Sequence, residues 1–203
     1  MIINLCRRNG SPLLAALIAS GLAASGAVFS QAAETTAHGG TPTVASGAPL
    51  ATQADAWYEN YRFRDGQTLT RLRIHYATLG APHHNAKGEI DNAILMLHWT
   101  GADSRTLLSE ASIKALFDAG RPLDANRYFL IFPDSVGHGQ SSKPSDGLKA
   151  SFPVYGYKDS VDLQHKLVSE TLGIQHLRAI IGLSIGGMNA CSGLKLTRKQ
   201  WTA

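Results

Sequence analysis

Near the end of a 203-residue chain, five residues read Gly182-Leu183-Ser184-Ile185-Gly186. An apolar run, Leu177-Arg178-Ala179-Ile180-Ile181, precedes them, and Gly187-Met188-Asn189-Ala190 follows as the start of a helix. A serine between two glycines at such a junction is confined to a sharp strand-to-helix turn. The glycines let backbone pass close on both sides, and the turn lifts the hydroxyl clear of the sheet. The five-residue pattern alone also fits an ordinary Gly-rich turn. The flanking strand and helix signals favour the nucleophile elbow, so Ser184 is the candidate nucleophile.

The segments before it alternate in the same way. Tyr58 to Arg64 and Thr70 to Leu79 have β character around an Asp65-Gly66 turn signal, which predicts an antiparallel hairpin. Pro82 to Asp91 is a polar loop. Ala93-Ile94-Leu95-Met96-Leu97-His98 and Tyr128-Phe129-Leu130-Ile131-Phe132 are continuous apolar runs, the mark of strands covered on both faces. Arg105 to Ala119 and Tyr157 to Leu172 carry apolar residues at helical spacing, and Gly173 stops the second. Arg178 to Ile181 is the third buried strand. A hairpin followed by strand–helix units predicts an α/β fold: a mostly parallel sheet with flanking helices and an N-terminal antiparallel hairpin.

The first 32 residues stand outside that fold. Arg7-Arg8, an apolar stretch from Pro12 to Phe29 and a small-x-small site at Ser30-Gln31-Ala32 come in the order of a secretory signal peptide. Gly21, Ser25 and Gly26 interrupt the stretch, which argues against a membrane anchor that would persist after cleavage. The expected location is secreted or periplasmic. Residues 33–56, rich in Ala, Thr, Gly and Ser, read as a flexible lead-in, with order starting near Trp57. Residues 57–190 form the folded part, and residues 191–203 an atypical tail. Cleavage would leave Cys191 as the one thiol, so no internal disulfide is available. The net charge of +4 comes from the two ends, with Arg7 and Arg8 in the leader and Lys195, Arg198 and Lys199 in the tail. The body is nearly neutral and gives no sign of a nucleic-acid partner.

Two loops follow the earlier buried strands: His98-Trp99-Thr100-Gly101, and Asp134-Ser135-Val136-Gly137-His138-Gly139-Gln140-Ser141. His98 and His138 are read as orienting their loops rather than as catalytic bases. His38, His83 and His84 fall in polar stretches, and His165 and His176 lie on or just after a helix well before Ser184. No metal-ligand spacing and no phosphate-binding glycine motif is present, so no cofactor or metal is expected.

From about Tyr61 to Ala190 the chain resembles the α/β-hydrolase superfamily. Within it, the chain is similar to the homoserine O-acetyltransferase-like branch. The matching features are Leu72-Arg73-Ile74-His75-Tyr76-Ala77-Thr78-Leu79-Gly80, the His98-to-Gly101 turn, Asn126-Arg127-Tyr128-Phe129, and the run from Leu172-Gly173-Ile174 through Leu177-Arg178-Ala179-Ile180-Ile181-Gly182 to Ser184-Ile185-Gly186-Gly187-Met188. The resemblance implies a Ser184 nucleophile that takes an acyl group from a small ester or thioester, and an oxyanion hole from the backbone N–H of Ile185 and of Trp99 or Thr100. It leaves water or a hydroxyl to resolve the acyl-serine. The Asp134-to-Ser141 loop looks more like the general hydrolase loop than the acetyltransferase one. The leader also suits an enzyme with no cytoplasmic thioester donor, so hydrolysis is favoured over O-acyl transfer.

The resemblance also implies a triad acid and histidine after the serine, but residues 191–203 contain no Asp, Glu or His. The expectation is therefore an inactive fragment whose C-terminal strands are missing, or a non-catalytic binding module. The strand bearing Ser184 would then be an exposed sheet edge, open to self-association. Residues from about Cys191 onward are read as a frame-shifted tail. The downstream DNA checks this: one of the other two frames after codon 190 is expected to encode further strands with an Asp and a later His.

Overall fold

A computed structural model describes residues 3–6 and 50–196 of the chain. Among these residues the strands are β1 (Ile3–Cys6), β2 (Thr52–Arg62), β3 (Thr68–Leu79), β4 (Ala93–Leu97), β5 (Phe129–Pro133) and β6 (Ala179–Leu183). They form one mixed sheet in the order β1-β6-β4-β5-β3-β2. The strands β6, β4 and β5 are parallel, in register Leu95↔Ile180 on one side of β4 and Leu95↔Ile131 on the other. The hairpin β2–β3 joins antiparallel through β3, with Tyr76 opposite Pro133.

The continuous apolar runs are explained by cover on both sides. Ile94 and Met96 of β4 pack with Leu107 and Phe117 from one group of helices. Ala93, Leu95 and Leu97 pack with Val168, Ile174 and Ala190 on the other face. The first group is α1 (Ser104–Leu107) and α2 (Glu110–Ser112), which continues as a wide π turn over Ile113–Phe117. The second is α3 (Tyr157–Lys166), continued by a π turn over Leu167–Thr171, and α4 (Ile185–Leu196). Leu163 and Leu167 reach on to Leu72, Ile74 and Phe63 of the hairpin. Strands β4 and β5 thus hide every side chain, whereas β6, expected to be equally buried, is fully covered only at Ile180 and Gly182.

Three expectations need correction. The single helix over Arg105 to Ala119 is broken, because the Ser109 hydroxyl accepts the Ser112 N–H and caps a new start there. Order in the hairpin starts at Thr52, not near Trp57, because β2 stays paired with β3 as far as Thr52↔Thr78. Within that extension, Ala56 is buried and Asp55 holds the His75 Nδ1 at 2.7 Å. The strand bearing Ser184 is not an open edge, since β1 pairs antiparallel along it from Ile3↔Leu183 to Cys6↔Ile180. Helix α4 runs to Leu196, into the segment set apart in the sequence as residues 191–203. The remainder of the expected leader (residues 7–32), the lead-in before Leu50 and residues 197–203 lie outside the described residues.

Two buried side chains tie the strand ends together. The His98 Nδ1–H donates to the Trp99 carbonyl at 2.8 Å, which leaves Nε2 to accept the Ser135 N–H at 3.0 Å. The loop after β4 is thereby bolted to the loop after β5. Asp134 is buried, and its two carboxylate oxygens accept the Ser104 N–H at 2.7 Å and the Gln140 N–H at 2.8 Å. Its carbonyl takes the Ser141 hydroxyl at 2.7 Å, and that hydroxyl in turn accepts the His75 N–H. Backbone groups that no ladder reaches are satisfied in this way.

Replacing Asp134 with Ala would strand two backbone donors that now meet a charged acceptor. The expected cost is about 3 kcal/mol or more, read from denaturant unfolding. His98 gives a pH dependence. Burial lowers its pKa below the ordinary value, against the opposing pull of the Trp99 carbonyl. The unfolded chain then binds a proton that the folded one refuses, so this contribution is intact above about pH 6.5 and is lost as pH falls below it. Thermal melts from about pH 7.5 down to 5.5 are expected to show a falling midpoint, with a shallower fall in His98→Gln.

Candidate active site

The sheet reverses its winding at β4. The chain leaves β4 for β5 on one side and returns through α3 to β6 on the other. In open α/β sheets the crevice outside the C-terminal strand ends at such a reversal is where ligands bind. The two sequence-predicted elements meet there. β6 is paired with β4 up to Leu97↔Gly182, so His98-Trp99-Thr100 and Ser184-Ile185 leave neighbouring strands side by side.

Ser184 stands in the one-residue turn between β6 and α4, with φ +52 and its surface exposed. A side chain in that left-handed region costs about 1–2 kcal/mol, so the surroundings must enforce it. The two glycines show how. A Cβ on Gly182 would lie 2.3 Å from the carbonyl group of Gly186. One on Gly186 would lie 2.5 Å from the Leu97 oxygen and 2.7 Å from the His98 oxygen. Helix α4 therefore starts in direct contact with the end of β4, and only glycine permits that approach. The Met188 N–H closes the first helical turn on the Ser184 carbonyl at 3.1 Å.

Trp99 and Thr100 are both exposed on the β4 side of the crevice. The turn is closed by the Ala102 N–H on the Trp99 carbonyl at 3.1 Å, with Gly101 at φ +80. The first N–H groups of a helix have no intrahelical acceptor, so Ile185 presents its donor at the head of α4. Three candidate donors (Trp99, Thr100 and Ile185) therefore border the same crevice as the serine hydroxyl. Backbone donors gathered at one strand end are of the kind that can receive a developing negative oxygen.

The histidines are engaged elsewhere. His98 bolts two loops, and the His138 Nδ1 faces the Val136 carbonyl of its own loop at 3.3 Å. His75 pairs with Asp55, and His83 with Asp91 at 2.8 Å. His165 lies on α3, and His176 precedes β6, at the opposite end of that strand from Ser184. His38 lies outside the described residues. Among the described residues no group of three or more His, Cys, Asp or Glu side chains is placed to hold a metal ion.

Sequence reasoning missed an apolar rim. Met188 is 48% exposed and Tyr157 45% exposed, with the Tyr157 hydroxyl 3.6 Å from the Met188 sulfur. Trp99, 37% exposed, stands on the other strand end. The available signal was spacing, since Met188 is four residues past Ser184 and its side chain leans back over the turn that holds the serine.

Comparison with known proteins agrees with this fold. Residues 93–193 match the family model described as the α/β hydrolase fold. A probable acyltransferase from Methanothermobacter thermautotrophicus is 34% identical over 147 residues, which are 71% of this chain and 42% of that protein. A homoserine O-acetyltransferase from Leptospira meyeri is 31% identical over 150 residues, 66% of this chain and 38% of that protein. Among solved structures, an acetylester hydrolase from Corynebacterium glutamicum superimposes with a TM-score of 0.63 at 24% identity, over 74% of this chain and 42% of that one, and so supports the fold. The chain spans about two-fifths of the length of the curated relatives it matches. On its family match and its sheet topology, the chain carries an α/β-hydrolase-fold domain of that family over residues 93–193, and it is similar in sequence to homoserine O-acetyltransferases.

Proposed function

We propose that this chain carries the nucleophile half of an acyl-transfer site that acts on a small ester. The Ser184 Oγ attacks the ester carbonyl and forms the new C–O bond. The carbonyl electrons move on to the oxygen, which settles among the N–H groups of Ile185 and of Trp99 or Thr100. Collapse of that intermediate breaks the bond to the alcohol, which leaves with the proton lost from the Ser184 hydroxyl, and water then cleaves the acyl-serine to a free acid and restores the hydroxyl. The observation that carries this reading is Ser184 itself, a non-glycine residue at φ +52 and exposed in the one-residue turn between β6 and α4. Strain of this kind is tolerated where function needs the exposure.

The leader over residues 1–32 favours hydrolysis in a secreted or periplasmic setting, away from thioester donors. The second reading is O-acyl transfer to a hydroxyl acceptor, and it is supported by similarity to the homoserine O-acetyltransferase of Leptospira meyeri. In both readings a serine at its ordinary pKa needs an adjacent base, and this sequence has no His, Asp or Glu after Cys191. The 203 residues on their own are therefore read as an inactive fragment. A non-catalytic binding role is the remaining alternative.

Labelling with a fluorophosphonate tests the missing base. The purified 203-residue chain is expected to label weakly at Ser184, and strong labelling would show that a base is present after all. Any ester turnover is expected to stay within about 10³-fold of the reaction in water, the level that oxyanion donors supply alone. Supplying a hydroxyl acceptor with p-nitrophenyl acetate separates the two readings: free acetate marks hydrolysis, and an O-acetyl product marks transfer. The strain has its own measurement. Ser184→Gly is expected to raise stability by about 1 kcal/mol in denaturant unfolding while abolishing any label.

A further inference from the structure

Two helices reach the crevice side by side. Helix α3 begins at Tyr157 and α4 at Ile185, and both cover the same face of the sheet. Their contacts keep step. Tyr157 meets Met188 at the top, and one turn further down a Cβ on Gly193 would lie 3.5 Å from the Val161 Cγ1. The two helices therefore run in the same direction and touch at that level. The start of α3 is held separately. The buried Asp159 carboxylate accepts the Gly156 N–H at 3.0 Å and the Arg64 N–H at 2.9 Å, which ties the first turn of α3 to the β2–β3 turn. Tyr157 is the first residue of that anchored turn, and its hydroxyl donates to the Met188 sulfur at 3.6 Å. Methionine is unbranched with three rotatable bonds, so left alone it adapts to whatever it touches. Here its far end is tethered.

We propose that Met188, held by Tyr157, is the wall that limits the acyl group, so that the site takes short acyl chains such as acetyl and resists longer ones. This rests on the reading of Ser184 as the nucleophile. Gly186 and Gly187 offer no side chain, so Met188 is the first beyond Ile185 that α4 presents. It leans back toward the turn that holds the serine. A group carried on the Ser184 oxygen thus has the Ile185 N–H near its carbonyl and the Met188 thioether beside its chain. The acyl group is the part so limited, because it stays bonded to that oxygen through both steps, whereas the alcohol departs after the first. Tyr157 is a positioning residue and acts only through the sulfur. A pinned thioether is a fixed boundary, and a free one would swing aside for each added methylene.

Two esters with one leaving group test this, p-nitrophenyl acetate and p-nitrophenyl hexanoate. The full 203-residue chain is incubated with each, and acyl-Ser184 is quantified by peptide mass mapping. Each rate is divided by the hydrolysis rate of that ester in buffer. The wild type is expected to favour acetyl by about 10-fold or more, as a fixed apolar boundary does. Met188→Ala should remove the preference. Tyr157→Phe keeps the ring and loses the tether, and should reduce the preference without abolishing it. In that variant the Met188 methyl resonance should move toward its rotamer-averaged position with circular dichroism unchanged, which a loss of packing would not give. If Met188→Ala loses its native circular dichroism, the wild type and Tyr157→Phe decide. Equal normalised rates in the wild type, a preference that survives in folded Met188→Ala, or a Tyr157→Phe variant with the wild-type preference would each overturn the proposal and leave the nucleophile reading standing. Acylation of Ser184 by neither ester would overturn that reading, and the proposal with it.

Discussion

The contact on which the rest of this structure depends is the approach of Gly186 to the carbonyl oxygens of Leu97 and His98. It joins the first turn of a helix to the end of a neighbouring strand with no side chain between them. The parallel pairing of β4 and β6 sets the height at which they meet. Packing of α4 and α3 against the odd-numbered face of β4, through Ala190 and Val168, sets the angle of approach. With both fixed, the single residue between strand and helix has no extended or right-handed conformation left, and Ser184 takes a positive φ. Its strain is therefore a product of packing several residues away.

Polar burial in this molecule follows the same economy. The faces of β4 and β5 are wholly apolar, and the buried polar ties of His98 and Asp134 lie where those strands stop. His98 serves as acceptor for one loop and donor to another, which requires a neutral ring in one tautomer. Asp134 collects donors from α1 and from its own loop, and Gly139 lies so close that a Cβ there would meet its carboxylate. The rim of the crevice is built from such short polar ties, and it rests on a floor of close-packed hydrocarbon.

Much of this fold was legible in the residues, for identifiable reasons. Strands β4 and β5 are apolar at every position because both faces are covered, and such runs admit few readings when turns bound them. The hairpin showed in its Asp65-Gly66 turn, and the elbow in its glycines. What was hidden depends on partners distant in sequence. The extension of β2 back to Thr52 rests on pairing with β3 and on the Asp55–His75 contact, and neither leaves a local pattern. The break before α2 comes from one hydroxyl, Ser109, competing with the helix for the Ser112 N–H. Strand β1 could not be foreseen, because Ile-Asn-Leu-Cys lies in a stretch whose composition reads as a signal peptide and its partner β6 lies far along the chain. In the candidate site, Ser184 could be read directly, whereas the backbone donors of Trp99, Thr100 and Ile185 are legible only through the fold that places them.

The bolt from His98 to Ser135 and the seating of Gly186 on the His98 carbonyl have a joint consequence. Three loops share the end of β4 as a common anchor, so none can loosen alone. Partial openings in proteins proceed in cooperative blocks, not bond by bond. Here the block is the crevice itself. A fluctuation that frees the β4 end releases the elbow, the donor turn and the β5 loop together. The rim at the end of β4 is therefore expected to open as one unit.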